Sequence, residues 1–219
     1  MGAAGAPADE AQGRNLSSLA HAAVSELIRR RQLRGGDVIV EARLADQLNV
    51  SRTPLREALQ RLEGEGLVVK VANRSFMVRH VDLTEYLQCL KVRELLEPEA
   101  AANAVGRVSR AGIDAVRAEI AALETLPNQH TDAHWVSDDN LHNLFLDHCG
   151  NQVMARMVRD LRVSTRLYEI AGLSARVEPD RLEHRAILEA LAEGDARRTR
   201  RAMATHIRSL ARHATSHLG

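Results

Sequence analysis

The chain has 219 residues, 45% of them apolar and 27% charged, with a formal net charge of +1; this suits one large or two small globular domains and excludes a fibrous or disordered protein. No apolar run approaches the roughly 20 residues that span a bilayer, and the opening MGAAGAPADEAQGRN lacks the basic and apolar regions of a secretory signal. Two cysteines, Cys89 and Cys149, are too few for a disulfide framework; they read as small half-buried side chains and suit a reducing cytoplasm, where we expect the protein to work.

Residues 1–14 read as a flexible tail, residues 15–80 as one module and residues 81–219 as another. The first module holds 11 Lys and Arg against 7 Asp and Glu, the second 18 against 20, so polyanion binding is expected of the first part only. Aromatic residues are limited to Phe76, Tyr86, Trp135, Phe145 and Tyr168. A core of Leu, Val, Ile, Met and Ala favours helices over sheets.

In the first module, NLSSLAHAAVSELIRRRQLRGGDVI carries Leu19, Ala23, Leu27 and Ile28 as a helical stripe and stops at Gly35-Gly36. EARLADQLNV is a short second helix with Leu44, Ala45 and Leu48 on one face, closed by a tight turn at Asn49-Val50. SRTPLREALQRLEGEG opens with a Ser or Thr cap, tolerates Pro54 in its first turn and repeats Leu55, Ala58, Leu59 and Leu62 at helical spacing. LVVKVANRSFMV follows as two short strands broken at Ala72-Asn73-Arg74. Helix, helix, turn, helix, hairpin is the order of a winged helix-turn-helix.

The amino end of the third helix exposes Arg52, Thr53 and Arg56, and in this motif that end enters the major groove. A guanidinium fork can take guanine O6 and N7 together, while Ser51 and Thr53 can bond phosphate at the positive end of the helix dipole. Arg74 at the hairpin tip could reach a minor groove or a phosphate, with Asn73 supporting the left-handed turn. By spacing alone these arginines are equally compatible with a solvated helix face. VEARLADQLNVSRTPLREALQRLEGEGLVV, and SRTPLREAL above all, resembles the GntR family of bacterial transcription regulators. That resemblance implies DNA contacts by Arg52, Thr53 and Arg56, with Ser51 capping the helix and touching phosphate. The chain departs from relatives at Ala42, where acyl-CoA-responsive members carry an arginine, and at Arg74-Ser75, where the wing usually has Arg-Gly.

From Val81 onward the pattern is helical throughout, which predicts an antiparallel bundle. Asp82-x-x-Glu85 is a capping box opening a helix that kinks or restarts at Pro98. Further helices are expected over about 109–125, 132–148 closed by Gly150, 153–171, 179–193 ended by Gly194, and from the Asp195 cap to the carboxyl end.

Asp138 and His142 lie four residues apart, on one helical face, and so can hold one ion. His184 sits beside Leu182, Ile187 and Leu188, and His206 beside Met203, Ile207 and Leu210. Three imidazoles and a carboxylate suit zinc first, with nickel, manganese or iron as other candidates. The competing reading of each histidine is a hydrogen-bonded core residue, and ten histidines make chance groupings common. His21, His130, His134, His148, His213 and His217 read as exposed, as does Asp139.

VRELLEPEAA, DDNLHNLFLDHCGN, EHRAILEALAEGD and ATHI together resemble the all-helical FCD effector domain of the FadR-like branch of the GntR regulators, over nearly all of residues 81–219. In metal-binding members Asp-x-x-x-His and two later histidines are ligands, which implies Asp138, His142, His184 and His206 here. Leu141 stands where an aromatic often precedes the first histidine. The resemblance also implies that Arg93 reaches toward an acidic effector, against the plainer reading of a surface pair with Glu97; Arg162 and Arg166 are weaker candidates. The fold expected is therefore mainly α, a winged helix-turn-helix followed by an FCD-like bundle. The function expected is a homodimeric regulator, more often a repressor, that binds a near-palindromic operator and responds to a small organic acid. A direct metal sensor, and a metal-dependent hydrolase with a DNA-binding appendage, are the rivals; HExxH is absent.

Overall fold

The computed structural model describes residues 6–71, 75–126, 130–172 and 176–216, with side chains from residue 15 and not at residue 172. The chain divides into two units, Met1–Val81 and Asp82–Gly219.

The first unit runs α1 (Ala6–Arg29), β1 (Val38–Ile39), α2 (Glu41–Leu48), α3 (Arg52–Gly64), β2 (Val68–Lys70) and β3 (Phe76–Val78). The backbone is helical from Ala6, so residues 6–14 are not the irregular tail expected. The buried stripe of α1 is Ala20, Val24 and Ile28, while Leu19 is 57% exposed. The apolar face thus lies one position away from the predicted one. On α3 the expected face is correct, with Leu55, Ala58, Leu59 and Leu62 wholly buried against α1 and α2. Asn49 adopts the left-handed conformation (φ 52°) that ends α2, a conformation asparagine tolerates better than most side chains. The wing gains a strand, because β1 joins the hairpin in the antiparallel order β1-β3-β2, with Val38 opposite Met77 and Ile39 opposite Phe76. Two residues are too few to show alternation in a sequence. Asn73 and Arg74, at the predicted hairpin tip, lie outside the described residues.

The second unit is α4 (Leu83–Ala104), α5 (Arg110–Leu123), α6 (Asp132–Leu146), α7 (Gln152–Gly172), α8 (Val177–Glu193) and α9 (Ala196–Thr215). Asp82, Ser109 and Asp195 cap α4, α5 and α9 by accepting from the amides of Glu85, Gly112 and Arg198. Gly194 (φ 75°) closes α8, where a side chain would be strained. Helix α4 does not restart at Pro98. It runs through it, because burial of Ala100, Ala101 and Ala104 on α9 and α7 outweighs one missing amide bond. Neither cysteine is in a disulfide, and both are buried rather than half-buried. Among the described residues no helix is long and apolar enough to cross a membrane.

Candidate functional site

Two sites arise, one in each unit. In the first, Ser51, Arg52, Thr53 and Arg56 are all exposed at the amino end of α3, while Pro54 and Leu55 between them are buried. The burial of that pair fixes the helix to α1 and α2 and turns the polar residues outward. The first turn of α3 has no acidic residue, so its unpaired amides and positive dipole end are open to an anion. Ser51 occupies the cap position with extended backbone, but its side chain makes no capping bond, contrary to expectation. Arg56 Nε lies 3.3 Å from Glu41, a half-exposed pair of the weak kind that a phosphate or base edge can displace.

In the second unit, α6 carries Asp138 and His142, α8 carries His184 and α9 carries His206. One ligand atom from each lies within 4.8 Å of all the others, close to the spread of about 4 Å allowed by ligand bonds of about 2.1 Å. Asp138 Oδ1 is 3.4 Å from His184 Nε2 and 3.7 Å from His142 Nε2. The rings crowd one another, with centroids 4.7 Å apart for His184 and His206 and 5.6 Å for His142 and His206. All three are buried, and the Nε2 atom of each has no hydrogen-bond partner. Three buried, unpartnered nitrogens converging on one carboxylate oxygen are costly as they stand. A divalent cation removes that cost, so the donor set fits the metal.

The other ring nitrogens support the fit. His206 Nδ1 is hydrogen-bonded to Glu183 Oε2 at 2.9 Å, and His142 Nδ1 lies 2.6 Å from Glu97 Oε2, within ion-pair distance though outside hydrogen-bond alignment. A carboxylate on Nδ1–H fixes the tautomer that leaves Nε2 with a lone pair for metal. Burial, and then Arg162, pushes the His142 imidazole down to about 4, against the pull of Glu97. Burial and His206 hold His184 well below its ordinary value. Both are therefore neutral, hence ligand-competent, at pH 7. Burial opposes ionisation of Asp138, yet Arg166 and Arg162 hold it well below the usual carboxylate range.

Arg93 is 1% exposed, so it is no surface residue. Its Nε lies 2.5 Å from Glu97 Oε1, and its Nη1 donates to Thr165 Oγ1 at 2.7 Å. Arg162 reaches Asp138 Oδ2 and Asp139 Oδ1, each at 2.7 Å, and Arg166 pairs with the same two carboxylates. Asp139 is thus half-exposed but engaged, not free in solvent. Asp180, Glu183 and His206 form a second acidic group within 4.8 Å, but Arg176 pairs with Asp180 and lies 2.8 Å from Glu183, which neutralises it.

A cavity of about 40 Å3 adjoins the cluster, reached by Asp138, His184, Arg93, Arg162 and Arg176. Its lining also includes Trp135, which stacks on His130 with centroids 4.4 Å apart and an 11° tilt. His134 is buried, with Nδ1 accepting from the amide of Thr131 at 3.1 Å. His130 Nε2 is 3.1 Å from Asp180. Neither histidine is the exposed residue expected from the sequence. His148 is exposed, whereas His21 and His213 are partly buried, with His21 Nε2 2.8 Å from Glu65; His217 lies outside the described residues. Glu97, Glu183 and Thr165 were missed as parts of the site. Glu97 was readable as a partner of Arg93 only; the signal for Glu183 was its place beside His184, which gave no direction.

Comparison with known proteins agrees with this division. Residues 16–78 match the family of bacterial regulatory proteins, gntR family, and residues 88–209 match the FCD domain. The chain is 40% identical over 84 residues to the Nta operon transcriptional regulator of Aminobacter aminovorans, a match spanning 38% of this chain and 40% of that protein. Among solved structures it resembles E. coli McbR/YncC, with TM-score 0.72 and 19% identity over 93% of this chain and 99% of the other. A putative GntR transcriptional regulator from Rhodococcus sp. RHA1 gives TM-score 0.70 and 19% identity over 91% and 97%. At that identity these likenesses speak for the fold.

Proposed function

Because the chain belongs to the GntR family of bacterial regulatory proteins and carries its FCD domain, we propose that it is a homodimeric, metal-containing repressor released from a near-palindromic operator by a small carboxylic acid. The observation that carries the ligand-sensing half is the convergence of three unpartnered Nε2 atoms on Asp138. The ion, zinc first and nickel, manganese or iron as alternatives, is held by Asp138, His142, His184 and His206. Bound there, it supplies a Lewis-acidic point on which an acid's oxygens can sit. Arg93, Arg162 and Arg176 provide the surrounding positive field and orient the carboxylate.

The DNA half rests on the exposed amino end of α3. Arg52 and Arg56 read base edges, Ser51 and Thr53 hold phosphates, and Asn73 and Arg74 of the wing add contacts beside the major groove. Two such heads related by a two-fold axis require a near-palindromic site. The effector must bind one pose of the pair more tightly than the other, and that difference sets how far operator affinity falls.

The test is a thermal-shift screen of small organic acids on metal-loaded protein, then an operator gel shift with each hit. An acid that stabilises the protein and releases DNA supports the reading. Loss of DNA binding on chelation, with no acid having any effect, would replace it with direct metal sensing.

A further inference from the structure

The arginines and carboxylates that reach the cavity beside the metal cluster are engaged by other side chains. Arg93 is held by Glu97 and Thr165, Arg162 by Asp138 and Asp139, and Arg176 by Asp180 and Glu183. Arg181 pairs with Glu178 and Glu124, and Glu169 accepts from Tyr86 Oη at 3.2 Å. Two groups of α6 are not so engaged. His134 and Ser137 line the same cavity and are 7% and 3% exposed, yet His134 Nε2 and Ser137 Oγ have no hydrogen-bond partner among the described residues. A serine within a helix commonly bonds the carbonyl one turn back; this one does not. The amide of Thr131 donates to His134 Nδ1 at 3.1 Å, and burial, then His130, lowers the pKa of the ring from its ordinary value. The neutral imidazole therefore carries its proton on Nε2, as a donor without an acceptor. Two buried polar atoms left unpaired cost stability unless a ligand pairs them.

His134, Ser137 and Asp138 stand at i, i+3 and i+4 on one face of α6. His134 thus lies about 6 Å along the helix axis from the metal-ligating position at Asp138. We infer that His134 Nε2–H and Ser137 Oγ form a second, uncharged end of the acid site, and that they receive the hydroxyl or carbonyl oxygen of a two-carbon hydroxy- or oxo-acid. This rests on the proposed acid-sensing role and narrows it. The size of the cavity agrees, since about 40 Å3 is room for about three water-sized atoms at about 10–15 Å3 each. With the carboxylate oxygens at the metal end, those three are two carbons and one further oxygen. His134 can only donate there, whereas Ser137 can donate or accept, so the oxygen they share must be an acceptor. An acid with a hydrogen in its place leaves both polar atoms unpaired, which is how a site built for hydrogen bonding rejects the analogue that lacks the group.

Trp135 is the only tryptophan in the chain and lines the cavity, so its fluorescence reports occupancy. Metal-loaded full-length protein is titrated with acetate, with glycolate, which adds one hydroxyl, and with glycine, which puts a donor-only ammonium in its place. Glycolate is expected to bind roughly tenfold or more tightly than either, since each hydrogen bond gained is worth about two- to twelvefold. Ser137→Ala should cut that advantage about threefold or more, while retaining its bound metal by elemental analysis, which reports an intact bundle. A glycolate advantage that survives Ser137→Ala would place the extra oxygen on the ion and overturn the inference. Acetate or glycine binding as tightly as glycolate would overturn it too, as would binding of larger acids from the thermal-shift screen where glycolate fails; each leaves the acid-sensing role standing. Binding of no acid at all would overturn both.

Discussion

Glu97→Gln isolates one atom's worth of chemistry at the centre of the bundle. Glu97 is wholly buried, with one oxygen 2.5 Å from Arg93 Nε and the other 2.6 Å from His142 Nδ1. Both neighbours are donors, so glutamine satisfies one with its carbonyl and sets its own N–H against the other. If the amide faces His142, the imidazole must move its proton to Nε2, and the metal loses a ligand. Loss of an outer-shell carboxylate commonly lowers metal affinity about 10–100-fold, roughly 1.4–2.7 kcal/mol. Removing the charge also leaves buried Arg93 with Thr165 and, at 3.9 Å, Glu169. An uncompensated buried pair costs about 3–5 kcal/mol, and the remaining partners argue for the lower end. At a few degrees per kcal/mol that is a fall of roughly 10 °C in Tm for the metal-free protein. Chelator competition measures the first effect and thermal unfolding the second. Unchanged metal affinity with a lowered Tm would place the amide carbonyl on His142, whereas a folded variant with both metal affinity and Tm unchanged would refute the two contacts assigned to Glu97.

His184→Ala should abolish stoichiometric metal by elemental analysis, since three remaining ligands must hold an ion whose cavity has gained space; unchanged stoichiometry would exclude it as a ligand. Chelation of the parent should lower Tm, because an ion binding only the folded bundle stabilises it by mass action, about 4 kcal/mol at a thousandfold excess over Kd; a Tm unmoved by chelator and by added zinc would contradict a metal in the core. Arg52→Ala should weaken operator binding by about 1–3 kcal/mol and relax sequence preference, with unrelated DNA held nearly as before. Equal losses on both DNAs in a filter-binding assay would make Arg52 a phosphate contact only.

The amino end of α3 was legible because its signals agree. Pro54, the apolar repeat from Leu55 to Leu62 and the family motif all specify the same face. The four ligands were legible as types and, through the family pattern, as a set; their convergence required the packing of α6, α8 and α9, which no local periodicity encodes. On α1 the buried stripe lies one residue from the expected one, because Leu19 is more apolar than Ala20 yet it is Ala20 that the fold buries. Glu97 and Arg93 looked like an ordinary exposed i,i+4 pair. Arg93 meets Thr165 and Glu169 of α7, more than seventy positions away, and Glu97 lies against His142 of α6. Polar residues in helical register carry no sign of which face is covered, and His130 and His134 were misread for the same reason. Arg93→Ala is therefore expected to destabilise the fold by stranding Glu97, and not only to remove the effector contact that the family resemblance implies.

Arg93 and Glu97 lie on α4, the first helix after the boundary between the two units at Val81 and Asp82. The metal site thus touches the element through which the chain passes to the DNA-binding unit: His142 through Glu97, and the cavity through Arg93. If an acid at this site alters operator affinity through one shared equilibrium, linkage requires reciprocity. An acid that weakens operator binding thirtyfold must itself bind thirtyfold less tightly when operator is saturating, about 2 kcal/mol in each direction. Trp135 fluorescence gives the acid's affinity with and without operator, and gel shift gives the operator's affinity with and without acid. Factors of one in both measurements would mean that acid and DNA are not coupled, and that α4 is a structural strut rather than the shared element.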